Sequence, residues 1–151
     1  MTQSVETPDP EARKTWMGLL ARAQAHRLAA LLPDPPSHAV LRPAEVGAVM
    51  VRGRIGGVGA PFNLGEMSVT RCSVRLEEGA VGHAYVQGRD KDHARRAAIV
   101  DALMQTPQGA LVRGAVLDVL AAEEAARRQA RAEKAAATKV DFFTLVRGED
   151  K

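Results

Sequence analysis

The feature that most constrains the fold is a change of pattern in the middle of the chain. Residues 45–89 are rich in valine, short of helix-capping residues and interrupted by glycine, whereas the segments on both sides follow helical apolar spacing. β-Branched residues favour strands, and glycine marks the turns between them. The pattern predicts three antiparallel strands, near residues 47–55, 62–76 and 80–88.

The connection between the last two strands has its own signal. Glu78 and Gly79 resemble the Asp-Gly pair that favours a two-residue hairpin turn, because glycine adopts positive φ without steric cost. Such a turn would place Ser73 directly opposite Ala84. The turn therefore predicts a definite pairing between the two strands.

The faces of the middle strand do not separate cleanly into apolar and polar. Arg71 and Arg75 share one face, whereas Ser68, Thr70 and Cys72 occupy the other. A strand without clean alternation is typical of a sheet that is covered on both sides. We therefore expect part of the cover to come from another chain.

Helical segments flank the sheet. Asp9 is suited to cap a first helix with Pro10 at its first position, and a proline cluster from Pro33 onward ends it. Asp90 is a candidate N-cap for a helix that starts at Lys91, and a longer helix is predicted over residues 110–136. The final "KVDFFTLV" has strand character.

Together these segments predict an α+β fold with the order α-β-β-β-α-α-β. We expect an antiparallel sheet of about four strands, with the helices packed mainly on one face. The 151 residues are enough for a single domain over 1–151. Residues 1–8 are expected to be disordered, and residues 137–151 to form a C-terminal strand or extension.

Composition excludes several classes of protein. The only cysteine, Cys72, excludes an internal disulfide and a cysteine-rich metal cluster. There is no signal-peptide pattern and no run of about 18 apolar residues, so we expect a cytoplasmic protein without a membrane segment. A net charge of +3 and 3% aromatic residues argue against a nucleic-acid binder.

The sequence contains no complete catalytic constellation. The glycine-rich "GRIGGVGAPFNLGE" lacks the Gly-Lys-Ser/Thr of a phosphate loop, and a hairpin loop is the better interpretation. The four histidines lack metal-ligand spacing, so no metal site is predicted; His26 and His93 are consistent with plain surface positions. Cys72 is more simply a buried thiol than a nucleophile.

Arg89 is the residue that the local structure does not explain. A cation just before a helix N-terminus opposes the helix dipole, so Arg89 should have an anionic partner: a carboxylate, a phosphate or a residue of another subunit. Arg71 and Arg75 are candidate companions, because their side chains share a face of the hairpin. The alternative is an ordinary surface ion pair.

Several spaced motifs resemble one family. "GEMSVTRCSVRLEEGAVGHAYVQGRDKDHARRAAIVDALMQ", "RGRIGGVG" and the final "DFFTLVRG" are similar to the G subunit of bacterial carbon–phosphorus lyase, PhnG. The likeness covers nearly the whole chain and is weakest over residues 33–39 and 111–137.

The resemblance implies a function that no motif reveals. Members of the family are subunits of a core complex for organophosphonate breakdown, with direct contact to the I subunit and with H and J as further partners. With the I subunit they support transfer of an alkylphosphonate to the ribose C1 of ATP, which releases adenine and gives a ribose 1-alkylphosphonate 5-triphosphate. ATP is then a substrate of the complex, and this chain alone is expected to hold no cofactor and to be inactive.

The alternative within this reading is a purely structural adapter without a residue in any active site. In either case the C-terminal segment is predicted to contact protein through Asp141, Phe142, Phe143 and Arg147, because two adjacent exposed phenylalanines are unfavourable. No residue is assigned to catalysis from the sequence.

Overall fold

The computed structural model describes residues 7–140, which form five α-helices and a three-stranded sheet. In chain order the elements are α1 (Pro10–Arg22), α2 (Ala25–Leu31), β1 (His38–Arg54), a 3₁₀ turn (Ile55–Gly57), β2 (Pro61–Leu76), β3 (Val81–Gln87), α3 (Lys91–Leu103), α4 (Gly109–Val112), a π-helical turn (Arg113–Leu117) and α5 (Asp118–Ala137). The predicted α+β class is confirmed.

The strand count differs from the prediction of about four. The described part of the chain has three strands, because the expected C-terminal strand falls largely on residues 141–151, which lie outside the described residues. Residue Ala137 belongs to α5 rather than to a strand. Most of the segment that was predicted to be disordered, residues 1–8, also lies outside the described residues, which begin at residue 7.

The predicted first helix is two helices. Asp9 caps α1 by accepting a hydrogen bond from the backbone N–H of Ala12 at 3.2 Å. The chain then turns extended at Ala23, with φ −62° and ψ 152°, and α2 starts two residues later. This break allows Leu20 and Leu28 to reach the same core, where both are fully buried.

The sheet order is β1-β2-β3, and both pairs of strands are antiparallel. β1 begins at His38 rather than near residue 47, so it runs through Pro43. A register shift between Arg42 and Glu45 accommodates this proline. An edge strand tolerates proline, because one of its sides has no ladder partner for the missing N–H.

The predicted pairing of β2 with β3 is wrong by one residue. The loop between them has three residues rather than two, because the N–H of Leu76 donates to the carbonyl of Ala80 and Gly79 has φ +100°. Three-residue hairpins typically place glycine at such a position. As a result Ser73 lies opposite His83 and not opposite Ala84.

One face of the sheet is covered by helices. Thr70, Cys72, Val74 and Leu76 alternate along β2 and are buried on this inner face. α3 lies so close to β3 that a Cβ at Gly82 would overlap the carbonyl oxygen of Ala98. The opposite, outer face carries Arg71 and Arg75, which are exposed, and Val69, which is buried. Within residues 7–140 the helices therefore cover the inner face, whereas cover of the outer face by another chain stays a prediction.

The far half of the β1–β2 hairpin extends beyond the third strand. β3 pairs only with the Val69–Arg75 part of β2, so residues 47–68 form a two-stranded arm. The tip of this arm is glycine-rich, with positive φ at Gly56 and Gly57. Its exposed apolar side chains are Met50, Ile55, Val58, Phe62 and Leu64.

α4, the π-helical turn and α5 follow one another without a break and form one helical segment from Gly109 to Ala137. This agrees with the predicted helix over residues 110–136. Beyond Leu120 the residues of α5 are no longer buried. None of the helices within 7–140 is long and apolar enough to cross a bilayer.

Candidate functional site

The junction of β3 and α3 is fixed by backbone contacts. Gly88 adopts φ +91°, its N–H donates to the carbonyl of Ser68 at 2.9 Å, and its own carbonyl accepts from the hydroxyl of Thr70 at 2.8 Å. Asp90 occupies the N-cap of α3 and accepts a hydrogen bond from the N–H of His93 at 2.9 Å. The turn and the cap together hold the intervening residue at the surface.

That intervening residue is Arg89, which is exposed. It has no hydrogen bond or ion pair within residues 7–140, although Asp92 lies in the adjacent helical turn. Asp92 instead binds Arg96 at 2.7 Å and Arg95 at 2.5 Å, and these hydrogen bonds lower the pKa of its carboxyl group. The anionic partner expected for Arg89 is thus absent from the described part of the chain.

Arg71 and Arg75 lie on the outer face, on alternate positions of β2. Arg71 pairs with Glu45 of β1 at 3.1 Å, and both side chains are about half exposed. Such an exposed pair is worth about 0–1 kcal/mol and leaves Arg71 accessible. Arg75 makes no hydrogen bond or ion pair to any residue of the 7–140 range.

In the described part of the chain, Arg71 and Arg75 line two different cavities. Arg71 lines one of about 490 Å³, together with Met17 of α1, and Arg75 lines another of about 720 Å³ near the start of β1. Arg89 lines neither of them. The structure therefore gives a dispersed cationic surface rather than one pocket.

The cavity beside Arg71 also contains a hydroxyl–imidazole pair. Ser73 Oγ lies 2.8 Å from His83 Nδ1, and Tyr85 is half exposed next to them. Asp101 contacts the backbone N–H of His83 rather than its ring, so Asp101 does not complete a catalytic triad with this pair. A guanidinium, a hydroxyl and an imidazole on one surface are suited to contact an anion.

The larger cavity lies between residues 35–37, the start of β1, the end of β2 and α3. Arg75, Arg95 and His38 supply its basic side chains, and Glu77 its carboxylate. His38 Nδ1 lies 2.8 Å from the carbonyl of Pro36. A carbonyl can only accept, so Nδ1 carries the proton and Nε2 is available to another group.

Cys72 is buried, and its thiol donates to the carbonyl of Arg42 at 3.4 Å. Burial raises the pKa of this thiol. A thiol with a raised pKa is mostly protonated near neutral pH and is a poor nucleophile. This geometry supports the interpretation of Cys72 as a packing residue.

Sequence reasoning missed two buried polar residues. His93 is buried, not at the surface, and its Nε2 donates to the carbonyl of Leu20 at 2.9 Å. Asp101 is fully buried and accepts from the side chains of Arg13 and Trp16. A single charge within the apolar run "AAIVDALM" is the signal that could have identified Asp101.

Two further predictions concern a metal site and the C-terminal segment. Among residues 7–140, no group of three or more His, Cys, Asp or Glu side chains is arranged to hold a metal ion. The predicted protein-contact residues of the C-terminal segment, Asp141, Phe142, Phe143 and Arg147, lie outside the described residues. Their role stays a prediction.

Comparison with known proteins shows which family the chain resembles. Residues 11–148 match the family model described as "Phosphonate metabolism protein PhnG". The chain is also 49% identical over 141 residues to a protein of Rhizobium meliloti (strain 1021), covering 91% of this chain and 90% of that one. The relative is named "Alpha-D-ribose 1-methylphosphonate 5-triphosphate synthase subunit PhnG". On the extent of both matches, the chain belongs to the PhnG family of phosphonate metabolism proteins.

Proposed function

We propose that this chain is a non-autonomous subunit of an alpha-D-ribose 1-methylphosphonate 5-triphosphate synthase, the activity named for its Rhizobium meliloti relative. It would act in the cytoplasm, in organophosphonate catabolism, as a single domain in direct contact with the I subunit and together with the H and J subunits. ATP and an alkylphosphonate would be the substrates of the complex, and this chain alone would hold no cofactor.

The exposed apolar side chains of the arm are the observation that supports a subunit role. They stand away from the core; Ile55 and Leu64 are each 66% exposed. Several exposed large apolar side chains on one hairpin are typical of a contact with another molecule. A two-stranded hairpin is also marginally stable in water by itself, so a partner that covers the arm would stabilise it.

The proposed reaction places phosphate chemistry near this chain. A phosphonate oxygen forms a bond to C1 of the ribose as the bond from C1 to the adenine nitrogen breaks, and adenine leaves with the bonding electrons and takes up a proton. The triphosphate at C5 is retained. Both the incoming group and the retained group are anions, which arginine binds through paired N–H donors.

Arg89 is the residue we propose to contact a ligand or a partner subunit, with Arg71 and Arg75 as companions. The supporting observation is that Arg89 and Arg75 are exposed and without an ion-pair partner in the described residues. Because the three side chains are dispersed, contacts with a partner surface account for them more economically than one ligand pocket. The alternative is an adapter without a residue in any active site. It would join the same complex, but substitution of these arginines would then have no direct effect on catalysis.

Co-purification tests the subunit role. The chain is co-expressed with the H, I and J subunits, and Phe62→Ser with Leu64→Ser is compared with wild type. We expect the double variant to lose retention on the I subunit while its melting temperature changes little, because both side chains are already exposed. Leu111→Ser, at an exposed apolar residue outside the arm, is the control. Undiminished retention of the double variant would remove the arm from the proposed interface.

A further inference from the structure

A second cationic site lies between the end of α1, the end of β3 and the middle of α5. It is a cavity of about 260 Å³, called here the arginine cavity, and its lining residues are Arg22, Gln87, Glu124, Arg127, Arg128 and Arg131. Four guanidinium groups thus face a single carboxylate. No sequence motif indicates the site, because α1 and α5 lie far apart in the chain.

The one carboxylate is already engaged. Glu124 Oε1 accepts from Arg22 Nε at 2.7 Å, and Oε2 accepts from Arg22 Nη2 at 3.3 Å. Arg128 lies at 3.8 Å from the same carboxylate. This two-point contact lowers the pKa of Glu124 and keeps the group ionised. Glu124 therefore positions Arg22 rather than neutralising the whole cavity.

Two of the arginines keep free donors. Within residues 7–140 neither Arg127 nor Arg131 makes a hydrogen bond or an ion pair within 4 Å, although the charge of Arg127 helps to lower the pKa of Glu123 and Glu124. They are four residues apart on α5, so their side chains lie on the same face of the helix. Like charges at this spacing destabilise a helix, and a bound anion would remove that repulsion.

The size of the cavity limits what it can hold. At about 260 Å³ it is smaller than the roughly 300–1,000 Å³ of pockets that enclose a drug-sized molecule. Guanidinium groups match the geometry of phosphate oxygens, and the amide of Gln87 offers a neutral donor beside them. The chemistry therefore suits a short chain of phosphates and not a complete nucleotide.

We propose that the arginine cavity binds the phosphate chain of a triphosphate, with the sugar and any base held outside it. The choice of a triphosphate among phosphate-bearing anions rests on the proposed function, in which substrate and product both carry one. Gln87 lies two residues before Arg89 in the chain, so the site adjoins the junction of β3 and α3 already described.

Calorimetric titration of the full-length chain with inorganic triphosphate tests the proposal without depending on the activity of the complex. Arg127→Gln with Arg131→Gln should weaken triphosphate binding at least tenfold. Lys14→Gln with Lys134→Gln removes the same charge from exposed positions outside the cavity and should change binding less than twofold. Circular dichroism checks that all three proteins have the same fold.

Titrations with other ligands show which kind of anion the cavity prefers. The affinity for ATP should be within a few-fold of the affinity for inorganic triphosphate, and the two should compete. Inorganic phosphate and adenosine should bind far more weakly. Equal binding of hexaglutamate would overturn the proposal in favour of an acidic protein segment. Absent triphosphate binding, or equal losses in the two double variants, would also overturn it.

The assembled complex separates this proposal from the proposed function. With Arg127→Gln and Arg131→Gln, the subunits should still co-purify, and the KM for ATP should rise at least fivefold. If wild-type complex releases adenine and the variant shows an unchanged KM, the arginine cavity is not a triphosphate site although the subunit role stands. If the wild-type complex is inactive, the subunit role fails and the binding result on the chain is unaffected.

Discussion

Asp101 on α3 accepts a hydrogen bond from the backbone N–H of His83 on β3, with 2.9 Å between Oδ2 and the nitrogen. β3 is an edge strand, and edge strands offer unpaired backbone groups to other chains. Gln105, one turn further along, donates to the carbonyl of Val81 at 2.8 Å. α3 and the turn that follows it thus occupy this edge at His83 and Val81.

The first prediction concerns Asp101 itself. Asp101→Ala leaves the donors of Arg13, Trp16 and His83 without an acceptor, and breaking a buried ion pair typically costs about 3–5 kcal/mol. We expect a loss of this size in the free energy of unfolding, measured by urea denaturation. Asp34→Asn, at an exposed position, should stay within about 0.5 kcal/mol of wild type. A loss below about 1 kcal/mol at Asp101 would contradict the proposed anchoring role.

The second prediction concerns the contact between sheet and helix. Gly82→Ala adds a methyl group where the backbone of Ala98 already lies, so we expect at least about 1–3 kcal/mol of destabilisation and a lower melting temperature. Gly47→Ala is the matched control, because a Cβ there meets nothing within 4 Å. If the two variants melt at the same temperature, α3 does not pack on β3 as closely as described.

The third prediction concerns acid stability. Hydrogen bonds from Arg22 and Arg27 lower the pKa of Glu124 and Glu123, respectively, and join α5 to α1 and α2. A carboxyl with a depressed folded-state pKa contributes stability above its unfolded pKa, near 4.5 here, and loses it as the pH falls through the folded pKa. We expect the melting temperature to fall below about pH 5.

Substitution of both glutamates isolates this effect. Glu123→Gln with Glu124→Gln should lower the melting temperature at pH 7 and make its dependence on pH between about 5 and 3 shallower. Glu66→Gln, an exposed residue without an ion pair within residues 7–140, should leave the wild-type slope unchanged. An unaltered slope in the double variant would assign the acid dependence to other carboxyl groups.

The fourth prediction separates two neighbours at the start of α3. Asp90→Ala removes the N-cap and should cost about 1 kcal/mol of stability with little effect on activity once folded. Arg89→Lys keeps the charge but loses the paired donors, so assembly or adenine release should fall sharply while stability is nearly intact. Melting, co-purification and adenine release are measured for both. Wild-type behaviour of Arg89→Lys would end the functional claim for this residue.

Local signals predicted much of the fold. Asp9 and Asp90 mark helix starts by their capping chemistry, and the valine-rich middle of the chain forms strands. Arg71 and Arg75 could be assigned to one face of the sheet, because side chains two or four residues apart on a strand point to the same side. These features depend on neighbours in sequence, so they could be predicted without a tertiary structure.

Features that depend on distant residues could not be predicted in this way. The break at Ala23 is explained by burial of Leu28, and the early start of β1 at His38 by its pairing with Leu76. The one-residue error in the β2–β3 register arose because Glu77 also belongs to the loop. The arginine cavity could not be predicted either, since it joins separate helices.

Adenine release tests the central claim most directly. The H, I and J subunits are purified with and without this chain, and free adenine is measured after addition of ATP and methylphosphonate. The account predicts that adenine release depends on the presence of this chain and is restored when the purified chain is added back. Equal rates of adenine release with and without the chain would contradict its assignment as a functional subunit of the synthase.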